Sequence, residues 1–265
     1  MDLKLQGKRA LVTGSTAGIG LAIASGLARE GASVVVNGRT EPRVRAAIIY
    51  IQEQVGGRAN ISGIACDAST PDGVDTLNKS YPEVDILVNN LGMYRPRPFP
   101  EITDDEWTEL WNFNVMSGVR LSRAYLPLML SKNWGRILFI SSESGVNIPT
   151  EMIHYGVTKT AQIALARGLA EMTVGTGVTV NSILPGPTRS EGLNDFMKNL
   201  AESSRKSEKD IEDEFFKSVR PSSLLKRFAT PTEVANLAVY LSSPLSSATN
   251  GAAVRVEGGT IKGIL

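Results

Sequence analysis

Short apolar, β-branched runs alternate with helix-length segments along almost the whole chain, and this alternation narrows the fold more than any other feature. Strand-like runs fall at residues 9–13, 33–37, 59–66, 86–89, 135–141, 178–184 and 253–256. Helical spacing of apolar residues marks 19–30, 43–54, 73–80, 104–130, 152–173 and 232–241. Runs such as Ile137-Leu138-Phe139-Ile140 are apolar at successive positions, as a strand buried on both faces requires. Strands of this kind separated by helices call for a parallel sheet with right-handed crossovers. The expected fold is α/β, a doubly wound (Rossmann) parallel sheet of about seven strands with helices on both faces.

No repeat or low-complexity linker interrupts the 265 residues, so a single unit over 1–265 is expected. One stretch breaks the rhythm. Residues 187–230 contain no strand-like run, and the sequence turns charged over 202–210, from Glu202 through Arg205 and onward. Leu193, Phe196, Met197 and Leu200 nevertheless keep helical spacing there. An insertion of this length is a lid over a binding site or a solvated decoration; a substrate lid around 187–230 is the preferred reading.

Composition closes off several functions. Hydrophobic residues make up 42% and charged residues 21%, enough for a sizeable core and too apolar for disorder. A net charge of +1 provides no field for steering toward nucleic acid or an anionic membrane. Cys66 is the single cysteine, which excludes an internal disulfide and fits a reducing compartment. His154 is the single histidine, and no Cys, Asp and Glu cluster at ligand spacing replaces it, so no metal site is expected. The start lacks the apolar run of a signal peptide, and no stretch is long enough to span a bilayer. A cytoplasmic protein without membrane or nucleic-acid partners is expected.

After the first strand comes Thr13-Gly14-Ser15-Thr16-Ala17-Gly18-Ile19-Gly20, which leads directly into a helix. Glycines here let the backbone turn tightly and approach a pyrophosphate, while the free amides of the helix start bind anions. In the first β-α unit this pattern indicates a dinucleotide. The end of the second strand, Asn37-Gly38-Arg39-Thr40, carries no carboxylate to hold a ribose 2′-hydroxyl. Arg39 offers instead a forked donor suited to a 2′-phosphate, so NADP(H) is preferred over NAD(H); a solvated surface arginine is the plain alternative.

Further on, Tyr155 and Lys159 stand four apart at the start of a helical segment, which places both side chains on one face. A phenol near its ordinary pKa of ~10 is a poor acid at neutral pH, and a neighbouring cation lowers that value. The pair makes a tunable proton donor.

With both features placed, the chain resembles the short-chain dehydrogenase/reductases, in particular their shorter single-domain branch. The resemblance runs through Thr-Gly-x-x-x-Gly-Ile-Gly at 13–20, Asn-Asn-x-Gly from Asn89 through Asn90 to Gly92, Ile-Ser-Ser ending at Ser142, Tyr-x-x-x-Lys, and Pro185-Gly186. It implies hydride transfer between a nicotinamide and a carbonyl or alcohol carbon. Tyr155 is then the general acid or base, and Lys159 lowers its pKa and holds ribose hydroxyls. Ser142 binds the substrate oxygen, and Asn114 holds a water that links Lys159 to solvent. Cofactor contacts implied by position are Thr13, Gly14, Ser15, Thr16, Gly18, Ile19, Gly20, Arg39, Asp67, Ala68, Asn89, Asn90, Gly92, Tyr155, Lys159, Pro185, Gly186, Thr188 and Ser190. Leu91 and Glu257 stand where alanine and aspartate are commoner. The family also pairs the 104–130 and Tyr155 helices with their copies, so a homo-oligomer, dimer or tetramer, is expected.

The leading functional expectation is a carbonyl reductase of the β-ketoacyl type acting on a small-molecule carbonyl or alcohol. The alternative is an NADP(H)-binding regulator or scaffold without turnover. Enzymes serving an acidic carrier protein place basic residues at the site mouth, and here only Lys132 answers to that. Arg95 and Arg97 either bind an anionic substrate or are solvated loop charges. His154 is expected to face the lid or solvent, with no catalytic role, and Trp107 and Trp111 are expected to pack. Substrate, direction and stereochemistry are not legible.

Overall fold

The computed structural model describes residues 2–57, 59–190, 193, 197–198, 201, 203–204 and 206–264. Its strands are β1 Arg9–Val12, β2 Ser33–Gly38, β3 Ile61–Ala65, β4 Ile86–Asn89, β5 Gly135–Ile140, β6 Val178–Pro185 and β7 Ala253–Val256. They form one sheet in the order β3-β2-β1-β4-β5-β6-β7, with every pairing parallel. The helices are α1 Gly18–Arg29, α2 Glu41–Gln54, α3 Pro71–Ser80, α4 Asp104–Trp111, α5 Ser117–Ser131, α6 Ile153–Glu171, α7 Glu208–Ser218 and α8 Pro231–Leu241.

Strand alternation explains the two helical layers. Val12, Val34, Val36, Val88, Leu138 and Ile140 point to one face, where Ile23 and Leu27 of α1, Val44 and Ile51 of α2, and Val234 and Ala238 of α8 cover them. The intervening Leu11, Val35, Leu87, Ile137 and Phe139 point to the other face, against Leu77 of α3, Leu121 and Tyr125 of α5, and Ala166 of α6. Because both faces are covered, the strands are apolar at successive positions. The chain proceeds outward from β1 through β2 and β3, then returns to β4 on its other side. That reversal opens a crevice at the carboxyl ends of β1 and β4, where ligands of such sheets bind.

Two departures from the sequence reading matter for the site. The helix expected over 104–130 is two helices, α4 and α5, joined by a π-helical turn at Asn112–Met116. A π-bulge widens the helix by one residue and re-aims its side chains; Asn114 sits in it, fully buried. The second departure is α7, which starts at the end of the charged run. Its signal was present: Ser207 and Asp210 form a reciprocal capping box, with Ile211 and Phe216 on the buried face.

Within 187–230, Met197, Ala201, Ile211, Phe216 and Phe228 form a small apolar cluster of their own. The rings of Phe215, Phe216 and Phe228 pack edge-on or tilted at mutual centroid separations of 5.0 Å. A bridge between Thr188 and Ala229 ties the two ends of the segment together. Phe196 and Leu200 of the expected apolar face, and Glu202 and Arg205 of the charged run, lie outside the described residues.

Candidate active site

The glycine turn is stapled to the end of β4. Asn90 donates through Nδ2 to the carbonyls of Thr13 and Gly14, at 2.9 and 3.2 Å, and its main-chain amide donates to Thr13 Oγ1. Ser15 Oγ donates to Val12 O at 2.7 Å and accepts from Asn37 N at 3.0 Å. Thr13, Ser15 and Asn90 therefore shape the turn. Gly14 and Gly18 lie at φ +60° and +54°, in the left-handed region that side chains avoid. A Cβ on Gly20 would meet Asn90 Nδ2 and Gly14 O, each at 2.5 Å. Thr16 packs on Gly38 at the end of β2, next to the exposed Arg39. Ala17, before α1, provides no side-chain cap, and the first turn, with Ile19, carries no acidic residue. Its amides and dipole are thus disposed toward an anion. The turn, the α1 start and Arg39 together fit the phosphates of a dinucleotide.

At the far side of the crevice, β5 ends at Ile140 and the chain bends through Ser141 and Ser142. Ser142 caps the following short turn by accepting from Ser144 N at 3.1 Å, and its hydroxyl acts on the Tyr155 phenol in favour of the phenolate. Tyr155 and Lys159 come from the first turns of α6. Lys159 is 3% exposed, and Nζ donates to Ile140 O at 3.0 Å and to Gln162 Oε1 at 3.1 Å. The amide of Gln162 continues the chain, donating through Nε2 to the main-chain carbonyl of Asn114 at 2.6 Å. Sequence reasoning did not single out Gln162, although it stands on the Lys159 face three residues on. Asn114 is itself fixed by its side chain, which accepts from Met93 N and donates to Met93 O and Thr158 Oγ1. Gly92 allows the loop after β4 to approach Lys159, since a Cβ there would lie 3.2 Å from Nζ.

The electrostatics depart from the simple pairing expected. Burial pushes the Tyr155 phenol up to about 12; the Ser142 hydroxyl opposes this, Glu143 and Tyr94 add to it, and Arg220 opposes it. Burial also lowers Lys159 to about 7. Nζ lies 5.7 Å from the Tyr155 ring centroid and spends its hydrogen bonds on Ile140 and Gln162. At the phenol, desolvation outweighs the groups that favour its ionised form.

A second group of charges borders the phenol. Glu143, 3% exposed, accepts through Oε1 from Arg220 Nε at 2.8 Å and from Ser144 Oγ at 3.2 Å. Arg220, just beyond α7, also reaches Glu151 Oε1 at 3.2 Å. The 187–230 segment is therefore latched to the stretches that carry Ser142 and Tyr155. Tyr94 stands edge-on to Tyr155, with centroids 6.1 Å apart, and is 57% exposed. Arg95 and Arg97 are ion-paired with Glu106, and Arg95 also with Glu109. Contrary to expectation, His154 faces neither lid nor solvent. It is fully buried against Trp107, at 5.8 Å, because the first turn of α6 packs on α4; burial lowers its pKa.

The remaining sequence-derived positions line the same edge. Asp67 accepts from Ser69 N and Ser69 Oγ, which orders the turn after β3, and the following Ala68 is buried. Asn89 donates a long 3.4 Å bond to Ser122, while its Oδ1 is buried without a partner. Beyond Pro185 at the end of β6, Gly186 lies against the Glu257 backbone, where a Cβ would be 2.6 Å from the carbonyl oxygen. Thr188 Oγ1 donates to Gly186 O, and Ser190 Oγ accepts from Leu193 N. Among the described residues no Cys, His, Asp and Glu group could hold a metal, and no helix is long and apolar enough to cross a membrane.

Comparison with known proteins agrees with this geometry. The family profile described as short chain dehydrogenase matches residues 8–201. The chain is 47% identical to the uncharacterised oxidoreductase YvaG of Bacillus subtilis, over the full length of both. It is 32% identical to the 3-oxoacyl-(acyl-carrier-protein) reductase FabG of Aquifex aeolicus, over 98% of this chain and 99% of that one. Among solved structures, L-sorbose reductase from Gluconobacter frateurii, complexed with NADPH and L-sorbose, superposes with a TM-score of 0.91 at 34% identity over both whole chains. The chain belongs to the short-chain dehydrogenase family and is an oxidoreductase of that family.

Proposed function

We propose that this oxidoreductase is an NADP(H)-dependent carbonyl reductase with Tyr155 as general acid. The observation that carries the reading is the grouping of Ser142, Tyr155 and the buried Lys159 at the carboxyl end of β5, with Lys159 Nζ 5.7 Å from the phenol ring and donating to Ile140 O. NADPH supplies the hydride when bound. A substrate carbonyl oxygen between Ser142 and Tyr155 would receive the phenolic proton, and Ser142 would support the charge developing on it. Lys159 and Gln162 tie α6 to the end of β5 and to the turn that carries Asn114. The exposed Arg39 beside the glycine turn supports NADP(H) over NAD(H). A regulator without turnover finds less support, because Asn114, Ser142, Tyr155 and Lys159 are all kept.

The β-ketoacyl reading draws on the likeness to FabG. Against an acidic carrier stands the engagement of the basic residues: Lys132 pairs with Glu83 at 3.1 Å, and Arg95 and Arg97 pair with Glu106. A cytoplasmic homo-oligomer completes the proposal, supported by Trp111, which is 41% exposed on α4; sedimentation of a dimer or tetramer at micromolar concentration checks it. The test of function is NADPH consumption against a panel of carbonyl compounds, with Tyr155→Phe run alongside. Turnover by the wild type that falls by about 10²–10⁴ in the phenylalanine variant is expected. Equal rates for the two proteins would overturn the assignment of Tyr155.

A further inference from the structure

Tyr94 stands beside the proton donor and has no part in the reaction as described. The stretch that carries it is fixed on both sides. Gly92 passes Lys159 so closely that a Cβ would lie 3.2 Å from Nζ. The main chain of Met93 is clamped by the fully buried Asn114, which accepts from its amide at 2.8 Å and donates to its carbonyl at 2.9 Å. Beyond Tyr94, the amide of Arg97 donates to Glu151 O at 2.9 Å. The Tyr94 ring packs edge-on against Tyr155 at an interplanar angle of 67°, and more than half of the residue stays open to solvent.

Two more apolar side chains stand uncovered by the same turn of α6. Val146 and Ile148, in the loop that follows Ser142, are 53% and 40% exposed. Ile148 packs on Gly156, next to Tyr155, where a Cβ would come within 2.7 Å of its Cγ2. The charges nearby are already engaged: Arg95 and Arg97 with Glu106, and Arg220 with Glu143 and Glu151. A group resting here gains by burying apolar surface, not by ion pairing. Of the three side chains only Tyr94 is aromatic, and aromatic rings prefer offset or edge-to-face partners. A tyrosine on a fixed backbone also loses little freedom when a ligand covers it.

We infer that Tyr94 is a specificity-determining residue, its ring packing against an aryl group attached to the substrate carbonyl. The substrates are then neutral aryl ketones, with Val146 and Ile148 bordering the same apolar entrance. This rests on the carbonyl reductase reading. In the reaction the carbonyl carbon gains a hydride from NADPH and its oxygen gains the Tyr155 proton, giving the alcohol and NADP⁺. The aryl group is bound and unchanged.

The test uses the whole protein with NADPH and three ketones: acetone, cyclohexyl methyl ketone and acetophenone. For each, kcat/KM is measured for the wild type, Tyr94→Ala and Tyr94→Phe. The two larger ketones are alike in size, so comparing them separates an aromatic contact from plain burial. Acetophenone differs from the others in intrinsic reactivity, but that difference is common to all three proteins, so the change in ratio reads the side chain. In Tyr94→Ala the acetophenone-to-acetone ratio is expected to fall about tenfold, and the acetophenone-to-cyclohexyl methyl ketone ratio about threefold. Tyr94→Phe keeps the ring and should hold both ratios near their wild-type values. An acetophenone-to-acetone ratio unchanged in Tyr94→Ala, or lost equally in Tyr94→Phe, overturns the inference and leaves the reductase reading intact. So does a fall that cyclohexyl methyl ketone shares in full, or a wild type that reduces other ketones but not acetophenone. Failure of the folded wild type to reduce any carbonyl compound overturns both.

Discussion

Replacing Lys159 with methionine should change how the stability of this protein depends on pH. The Lys159 ammonium is 3% exposed and is held by two hydrogen bonds, to Ile140 O and Gln162 Oε1, with no carboxylate bonded to it. Burial lowers its pKa from 10.5 to about 7. Between those two values the unfolded chain carries the proton and the folded chain does not, so the unfolded state binds more protons. Stability then rises with pH through this window. Each pH unit above about 7 contributes about 1.36 kcal/mol, or roughly 3 kcal/mol between about pH 6 and about pH 9.5. Methionine fills similar space and does not titrate. Its lost hydrogen bonds shift the curve by a constant, and groups such as Cys66 and Tyr155 cancel in the comparison. Urea unfolding of both proteins across that range, in the absence of nucleotide, is the assay. The wild-type stability should gain on the Lys159→Met stability by an amount of order 3 kcal/mol as pH rises. Parallel curves, within about 0.5 kcal/mol, would refute the claim that desolvation deprotonates this lysine near neutral pH.

Two further outcomes follow from the same site. Arg39→Asp removes the forked donor beside the glycine turn and adds a carboxylate suited to a ribose 2′-hydroxyl. The ratio of NADPH to NADH affinity, measured by fluorescence titration, should fall by at least about tenfold, which is about 1.4 kcal/mol; an unchanged ratio counts against the NADP(H) assignment. Gln162→Leu deprives the buried Lys159 of an acceptor and the Asn114 carbonyl of a donor. A charged and a neutral hydrogen bond together put the loss at about 2–4 kcal/mol. Urea unfolding near neutral pH would show it, and a loss under about 0.5 kcal/mol would mean that the bridge contributes nothing.

The sheet was legible because burial on both faces leaves its mark on every residue of a strand. Val34-Val35-Val36 and Ile137-Leu138-Phe139-Ile140 are apolar throughout for the same reason that the two helical layers exist. The glycine turn was legible because positive φ at Gly14 and Gly18, and the tight space at Gly20, admit almost no other residue. Tyr155 and Lys159 could be placed on one face from helical spacing alone. Local chemistry of this kind is written in adjacent or regularly spaced residues.

What tertiary structure decided was long-range. The π-turn that aims Asn114 into the interior interrupts an otherwise continuous helical pattern, and its partners Met93 and Thr158 lie 21 and 44 residues away. Gln162 becomes a bridge only because α6 packs against that turn. His154 looked like an exposed neighbour of Tyr155 until α4 closed over it. Arg220 and Glu143 are 77 residues apart, and as isolated charges in sequence each reads as solvated. Pattern and turn chemistry thus sufficed for the fold and for the spacing of Tyr155 and Lys159. The pKa shifts and the latch between Glu143 and Arg220 depend on burial and on which distant groups share it, and those exist only once the chain has folded.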